Sequence, residues 1–187
     1  CAWVGNDPLY IRYHDIEWGT PLYNDQKLFE FLILEGAQAG LSWITILKKR
    51  KNFAKAFDNF DPQKVARYHS KKINTLLGNK GLIRNQRKIQ GAVQNAKAFL
   101  QVCKEFSSFN TYIWQFVEGK PKKNAWKTIA EVPSKTAESI AMAKDLKRRG
   151  FTFVGPTICY AFMQAVGMVN DHTVDCFRYY ELDSALK

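Results

Sequence analysis

Two cysteines and two histidines at opposite ends of the chain have the chemistry of metal ligands: Cys1 and His14 near the start, His172 and Cys176 near the end. His172 and Cys176 are four residues apart, and the pattern predicts a helix over Asp171–Tyr180 on which both point to one face. Cys1 and His14 flank the first expected helix. Two cysteines and two histidines form a complete tetrahedral set for zinc. A set with no open position is structural, so it would tie the termini together and contribute to folding. Nothing in the spacing joins the two pairs, and buried cysteines with satisfied core histidines are the commoner use of these residues.

A second constellation is aromatic. Trp3, Tyr10, Tyr13, Trp18 and Trp43 crowd the N-terminal part, and Glu35 lies within an apolar run. A buried carboxylate is costly unless it is paired or hydrogen-bonded. Aromatic walls with one carboxylate suit a flat cationic ring, with stacking and cation–π attraction on its faces and an acceptor at its edge. The alternative is ordinary aromatic packing with Glu35 paired to a surface lysine. A third feature is the segment Lys147-Arg148-Arg149-Gly150-Phe151-Thr152-Phe153-Val154-Gly155-Pro156-Thr157 between two helices. Gly155 can leave its backbone bare, and the following helix can present free N–H groups to a phosphate, next to the cationic triplet. A plain turn with a solvated basic end is the other reading.

The elements that must hold these groups are helical throughout. Asp7-Pro8 starts a first helix. Asp25 caps a second, with Leu28, Phe29, Leu32 and Ile33 at helical spacing. Ala39-Gly40-Leu41 breaks it. Ser42 caps a third, with Ile44, Leu47 and Phe53 on one face and Lys48, Lys49, Arg50 and Lys51 largely outside. Asp61-Pro62 and Ser70–Gly78 give short helices, Arg84–Cys103 a long one, and Phe109–Val117 another. A basic loop to Val132 follows, then a helix from Ser134 to Arg149 and one over Thr157–Val166. No run has the alternation of a strand. The expected class is all-α in one domain over 1–187, or two small lobes around a cleft, with the hairpin at about 147–167.

Composition narrows the partners. The 187 residues carry 28 Lys+Arg against 17 Asp+Glu, a formal net charge of +11, which favours a polyanion such as nucleic acid. The most apolar window, Leu28–Leu47, is interrupted by Glu30, Glu35 and Gln38, so it reads as a buried helix and not a membrane span. Cys1–Asp7 show no secretory leader, and the expectation is a cytoplasmic monomer. A chain of this size can bury roughly 70% of its unfolded surface without a disulfide framework. Cys103 and Cys159 read as core residues.

Several segments together resemble the bacterial 3-methyladenine DNA glycosylase I family across nearly the full length. They are Asp7-Pro8-Leu9-Tyr10, Tyr13-His14-Asp15, Glu17-Trp18-Gly19, Leu34-Glu35, the block Ala39–Arg50, Gly150-Phe151, Val154-Gly155 and Asn170-Asp171-His172. The resemblance implies a helix-hairpin-helix DNA glycosylase fold with one structural zinc ion joining the termini through Cys1, His14, His172 and Cys176. It implies a base pocket of Glu35, Trp43, Tyr13, Trp18, Trp3 and Tyr10, in which Glu35 reads the lesion edge and is the catalytic residue. Gly40-Leu41 would fill the gap left by a flipped nucleotide, and Lys147, Val154, Gly155 and Thr157 would grip the DNA. The implied reaction is hydrolysis of the N-glycosidic bond of 3-methyladenine in alkylated duplex DNA, leaving an abasic site. Bifunctional relatives place a nucleophilic lysine just after the hairpin glycines. Pro156-Thr157 stands there in this chain, so no lyase activity is expected. Asp171 is out of register with the aspartate of those relatives and is a secondary candidate for catalytic acid or stabiliser. Two rival readings are a non-catalytic, zinc-stapled DNA-binding module and a glycosylase of wider range that also takes 7-methylguanine.

Overall fold

The computed structural model describes residues 1–184. In chain order the helices are α1 (Pro8–Ile16), α2 (Asp25–Gln38), α3 (Trp43–Ala56), α4 (Pro62–Val65), α5 (Ser70–Gly78), α6 (Gln86–Phe106), α7 (Phe109–Ile113), α8 (Ala137–Arg148), α9 (Pro156–Ala165) and α10 (Phe177–Ser184). Short 3-10 turns join several of them. Two-residue strands β1 (Lys122–Lys123) and β2 (Val169–Asn170) pair in parallel. The architecture is mostly helical, with this small sheet as an addition to the expected all-α class.

The stretch that is apolar on nearly every side becomes the centre of the molecule. In α2 every residue from Leu28 to Ala37 is buried, as befits a helix without a solvent face. Around it pack α3, α6, α7 and α9. The cap of α2 is Asn24, which accepts from the Lys27 N–H. Asp25, the expected cap, serves a different helix: its carboxylate accepts from the N–H groups of Phe109 and Asn110 at 3.0 and 2.7 Å, at the start of α7. Asp7 caps α1 with Pro8 at its first position, as expected. α8 begins after Thr136 and not at Ser134, because Thr136 and Ser139 complete a reciprocal capping box.

Two further departures matter for the site. Arg50 is turned inward and not out with its lysine neighbours. It donates to Glu30 at 2.7 Å and to Glu17 at 2.6 Å, fastening α3 to α2 and to the end of α1. The helix expected over Asp171–Tyr180 forms only from Phe177 onward, as α10. Residues 171–176 are irregular: they leave the small sheet, where Lys122 N–H bonds Met168 O and Asn124 N–H bonds Asn170 O, and Val174 N–H goes on to bond Trp126 O. Long-range main-chain bonds satisfy groups that a helix would otherwise have paired locally.

Candidate active site

α1, α2 and α3 converge on a cavity of about 230 Å³, walled by Trp3, Tyr10, Tyr13, Trp18 and Trp43, with Glu35 at its inner side. All six residues expected to form a base pocket therefore share one hollow. The rings support each other: Trp3 lies edge to face 4.9 Å from both Tyr10 and Trp18, and Tyr13 lies tilted 5.5 Å from Trp43, between ring centres. The hollow falls below the roughly 300–1,000 Å³ of drug-sized sites and is on the scale of one planar ring.

Glu35 is only 3% exposed. Its Oε2 and the indole Nε1 of Trp43 are buried without a hydrogen-bond partner, so an acceptor and a donor are both left unmatched in the pocket wall. Burial pushes the Glu35 carboxyl up to about 8. The expected alternative, Glu35 paired with a surface lysine, is not what forms. Glu30, five residues earlier on the same helix, takes that role and is held by Arg50 and Lys27. Burial raises its pKa too, but those two cations outweigh burial and hold it below the ordinary value. Burial, and then the nearby Glu35 charge, push the Tyr13 phenol well above its ordinary value, so it remains a hydroxyl.

Asp171 also reaches this cavity, together with Gln164 and Gln38. It is 2% exposed and accepts four hydrogen bonds. Asn124 and Trp126 donate to Oδ1 at 2.6 and 2.8 Å, and Tyr160 and Gln164 donate to Oδ2 at 2.6 and 2.7 Å. Sequence reasoning gave Asp171 second rank and missed its partners. A signal was present for two of them: Tyr160 and Gln164 are polar groups four apart in the apolar run of α9, hence on one face and in need of a shared partner. Asn124 and Trp126 arrive from a loop that shows no local pattern.

The four metal-ligand candidates come together although His172 and Cys176 lie ahead of α10 and not on a helix. Their donor atoms all fall within 4.8 Å of one another. Cys176 Sγ is 3.5 Å from both His14 Nε2 and His172 Nδ1, Cys1 Sγ is 3.6 Å from His172 Nδ1, and the two histidine nitrogens are 3.1 Å apart. Zinc bond lengths place the corners of its tetrahedron about 3.3–3.8 Å apart; the three sulfur–nitrogen distances of 3.5–3.6 Å fall in that range, and the donor chemistry suits the ion. The outer contacts select the required tautomers. His14 Nδ1 faces Asp15 Oδ1 at 2.7 Å and His172 Nε2 faces Trp18 O at 3.1 Å, which leaves His14 Nε2 and His172 Nδ1 as donors to a metal.

Beside the pocket the chain turns sharply. Gly40 has φ +78, where a side chain would be strained, and Leu41 is exposed at the end of the turn. A second hollow of about 280 Å³ runs from Glu35 and Gln38 past Gly40 and Leu41 to Thr157 and Ile158. The turn, the start of α9 and the aromatic pocket thus share one continuous surface. Gly155 precedes α9 without a capping side chain, and Thr157 is exposed in its first turn. Val154 is 1% exposed, so its side chain belongs to the core and only its main chain is left for contact. The cationic triplet is partly neutralised: Arg148 and Arg149 pair with Asp145, and Arg149 also with Glu105, while Lys147 is exposed.

A helical scaffold with a buried carboxylate among edge-on aromatics, beside an exposed turn, suits a base-recognising protein, and comparison with known proteins agrees. The methyladenine glycosylase family model matches residues 3–179, and the chain belongs to that family. It is 50% identical over 179 residues, 96% of each chain, to DNA-3-methyladenine glycosylase 1 of Escherichia coli. A crystal structure of 3-methyladenine DNA glycosylase I superposes with a TM-score of 0.93 at 50% identity, covering 95% of this chain and 97% of the other. A variant of 3-methyladenine DNA glycosylase I solved in complex with 3-methyladenine superposes with a TM-score of 0.92 at 36% identity, covering 95% of each.

Proposed function

We propose that this enzyme excises 3-methyladenine from alkylated duplex DNA by simple hydrolysis, with Glu35 as the residue that recognises and stabilises the lesion. The observation that carries the reading is the partnerless, buried Glu35 Oε2 among aromatic walls. An unmatched acceptor in a low-dielectric pocket favours a ring that brings both a positive charge and an N–H donor. Trp43 and Tyr13 flank the ring, with Trp3, Tyr10 and Trp18 behind. Leu41 on its Gly40 turn enters the duplex as the damaged nucleotide swings out, a step least costly for a weakly paired base.

The base is cationic before it leaves, so breaking the C1′–N bond returns its electron pair to the ring and needs no strong general acid. Water adds to C1′ and loses a proton to solvent. Catalysis rests on selective binding and on stabilising the developing positive sugar. Asp171 has both oxygens filled by donors and therefore positions the 124–126 loop and α9 around the pocket; proton transfer is not its task. Pro156 and Thr157 offer no amine, so the reaction stops at the abasic site. Lys147, the Gly155 main chain and Thr157 hold phosphates. Cys1, His14, His172 and Cys176 hold one zinc ion, which when bound supplies structural cross-linking of the termini. The chain works as one domain, a cytoplasmic monomer on DNA.

Methylated duplex DNA, incubated with the protein and analysed for free bases by chromatography, tests this. Release of 3-methyladenine with little 7-methylguanine is expected. Absence of any released base from folded, DNA-binding protein would overturn the reading.

A further inference from the structure

Lys88 lies in the first turn of α6, on a different element from anything the chemistry uses. Its Nζ donates to the main-chain carbonyls of Ala37 at 2.8 Å and Ala39 at 2.6 Å. These carbonyls belong to the end of α2, where the last turn has no intrahelical donors left. Lys88 is half-buried, and the partners given to its ammonium are these two carbonyls. Burial lowers its pKa. It is thus an ammonium withdrawn from water and directed at two carbonyl oxygens.

Those two carbonyls bracket the point where the helix carrying Glu35 becomes the exposed turn. Immediately beyond, Gly40 stands in the left-handed region, and a side-chain carbon placed there would touch nothing within 4 Å. The turn therefore has little packing of its own. Its inner main-chain tie is Leu41 N–H to Gln38 O at 2.6 Å. A glycine without neighbours adopts many conformations, and a wedge that must enter the base stack gains from being fixed beforehand. A cation at a helix C-terminus is also in its favourable electrostatic place.

The geometry points to Lys88 as a positioning residue for DNA distortion: by holding the Ala37 and Ala39 carbonyls it sets the direction in which Leu41 leaves α2 and so couples the tip to the Glu35 pocket. This rests on the reading of Leu41 as the wedge. The role predicts a split between two measurements that plain helix capping would move together. In Lys88→Met, affinity for free 3-methyladenine, followed by tryptophan fluorescence, stays within about twofold of the parent. Single-turnover excision from methylated duplex falls at least tenfold. Lys88→Arg, which retains a donor pair, recovers most of the rate. The salt dependence of binding to undamaged duplex keeps its slope, because Lys88 faces carbonyls and not phosphates; removing a phosphate ligand would lower the slope by about 0.9.

Wild-type excision by Lys88→Met, alongside a crippled Leu41→Ala, would overturn the inference and leave the wedge standing. Equal loss of thermal midpoint and free-base affinity in both Lys88 variants would reduce Lys88 to a stabilising cap and also overturn it. A salt slope lowered by about one would make it a phosphate ligand instead. Wild-type excision by Leu41→Ala would remove the wedge itself, and the inference with it.

Discussion

Glu30 and Glu35 lie on one buried helix and are driven in opposite directions by what faces them. Glu30 meets Arg50 and Lys27; Glu35 meets rings. With its pKa near 8, Glu35 remains protonated in the folded protein while the unfolded chain ionises near its ordinary value. Between those two values the unfolded state binds fewer protons, so folding stability falls as pH rises. Below the lower value the penalty is absent, and above pH 8 it is complete, on the order of 3–5 kcal/mol. Glu35→Gln removes it. Denaturant titration is expected to find the variant close to wild type near pH 4.5 and more stable by on the order of 3 kcal/mol at pH 8. Its excision rate is expected to drop roughly 10–100-fold, because the amide cannot ionise against the cationic base as the carboxyl does when that charge enters the pocket. A variant less stable than wild type at pH 8 would mean that the ionised carboxylate has a stabilising partner, contrary to the burial argument. The aromatic and carboxylate residues of this pocket were legible in the sequence because residue type alone limits what they can do when buried. The Asp171 cluster was not, since two of its four donors come from a loop some forty-five positions away.

The hairpin between α8 and α9 shows what a periodicity can and cannot tell. Gly150 as the stop of α8 follows from local chemistry and was readable, and α9 starts at Pro156, one residue ahead of the expected Thr157. The seat of the hairpin was not, because it lies on α6, some sixty residues earlier. Asn95 grips Thr152 through both its amide groups, with Nδ2 to Thr152 O at 3.0 Å and Thr152 N–H to Oδ1 at 2.7 Å. Gly91 lets the turn close in: a side-chain carbon there would fall 2.8 Å from Thr152 Oγ1 and 3.0 Å from the Phe153 ring. The late start of α10, at Phe177 instead of Asp171, has the same cause, with partners from the 122–126 segment overriding a weak local preference. Gly91→Ala sets two effects against each other. Alanine favours a helix interior by up to about 1 kcal/mol, while overpacking costs about 1–3 kcal/mol. The expected net is a modest loss of stability with a displaced hairpin. Affinity for undamaged duplex, measured by fluorescence anisotropy, should fall severalfold, with free-base binding unchanged. Unaltered duplex affinity would show that the hairpin does not carry the DNA contact.

At the scale of the whole molecule the ends of the chain are fastened to each other and, through that fastening, to the pocket. Cys1 and His14 meet His172 and Cys176. The Trp18 ring packs edge-on to His172 at 4.6 Å, and its carbonyl faces the same imidazole. Trp3 in turn lies against His14 and Trp18. Two walls of the aromatic pocket, Trp3 and Trp18, thus form the outer layer of the Cys/His cluster, while the hairpin on α6 stands apart from it. The proposed zinc, by closing so long a loop, would restrict the unfolded chain by an amount comparable to a cross-link over a hundred residues, about 5 kcal/mol in the entropic account. The large core around α2 does not depend on it, so metal removal should loosen the termini without unfolding the protein. Chelation, or Cys176→Ser, is expected to lower the melting midpoint by roughly 10 °C, at about 2–4 °C per kcal/mol for a chain of this size. Affinity for free 3-methyladenine should weaken by at least tenfold, while binding to undamaged duplex persists. Thermal melting and base titration on metal-loaded and chelated protein, with zinc content measured in parallel, decide the matter. An unchanged midpoint and unchanged base affinity after proven loss of metal would show that side-chain packing alone holds the termini, and that the pocket walls stand without the cluster.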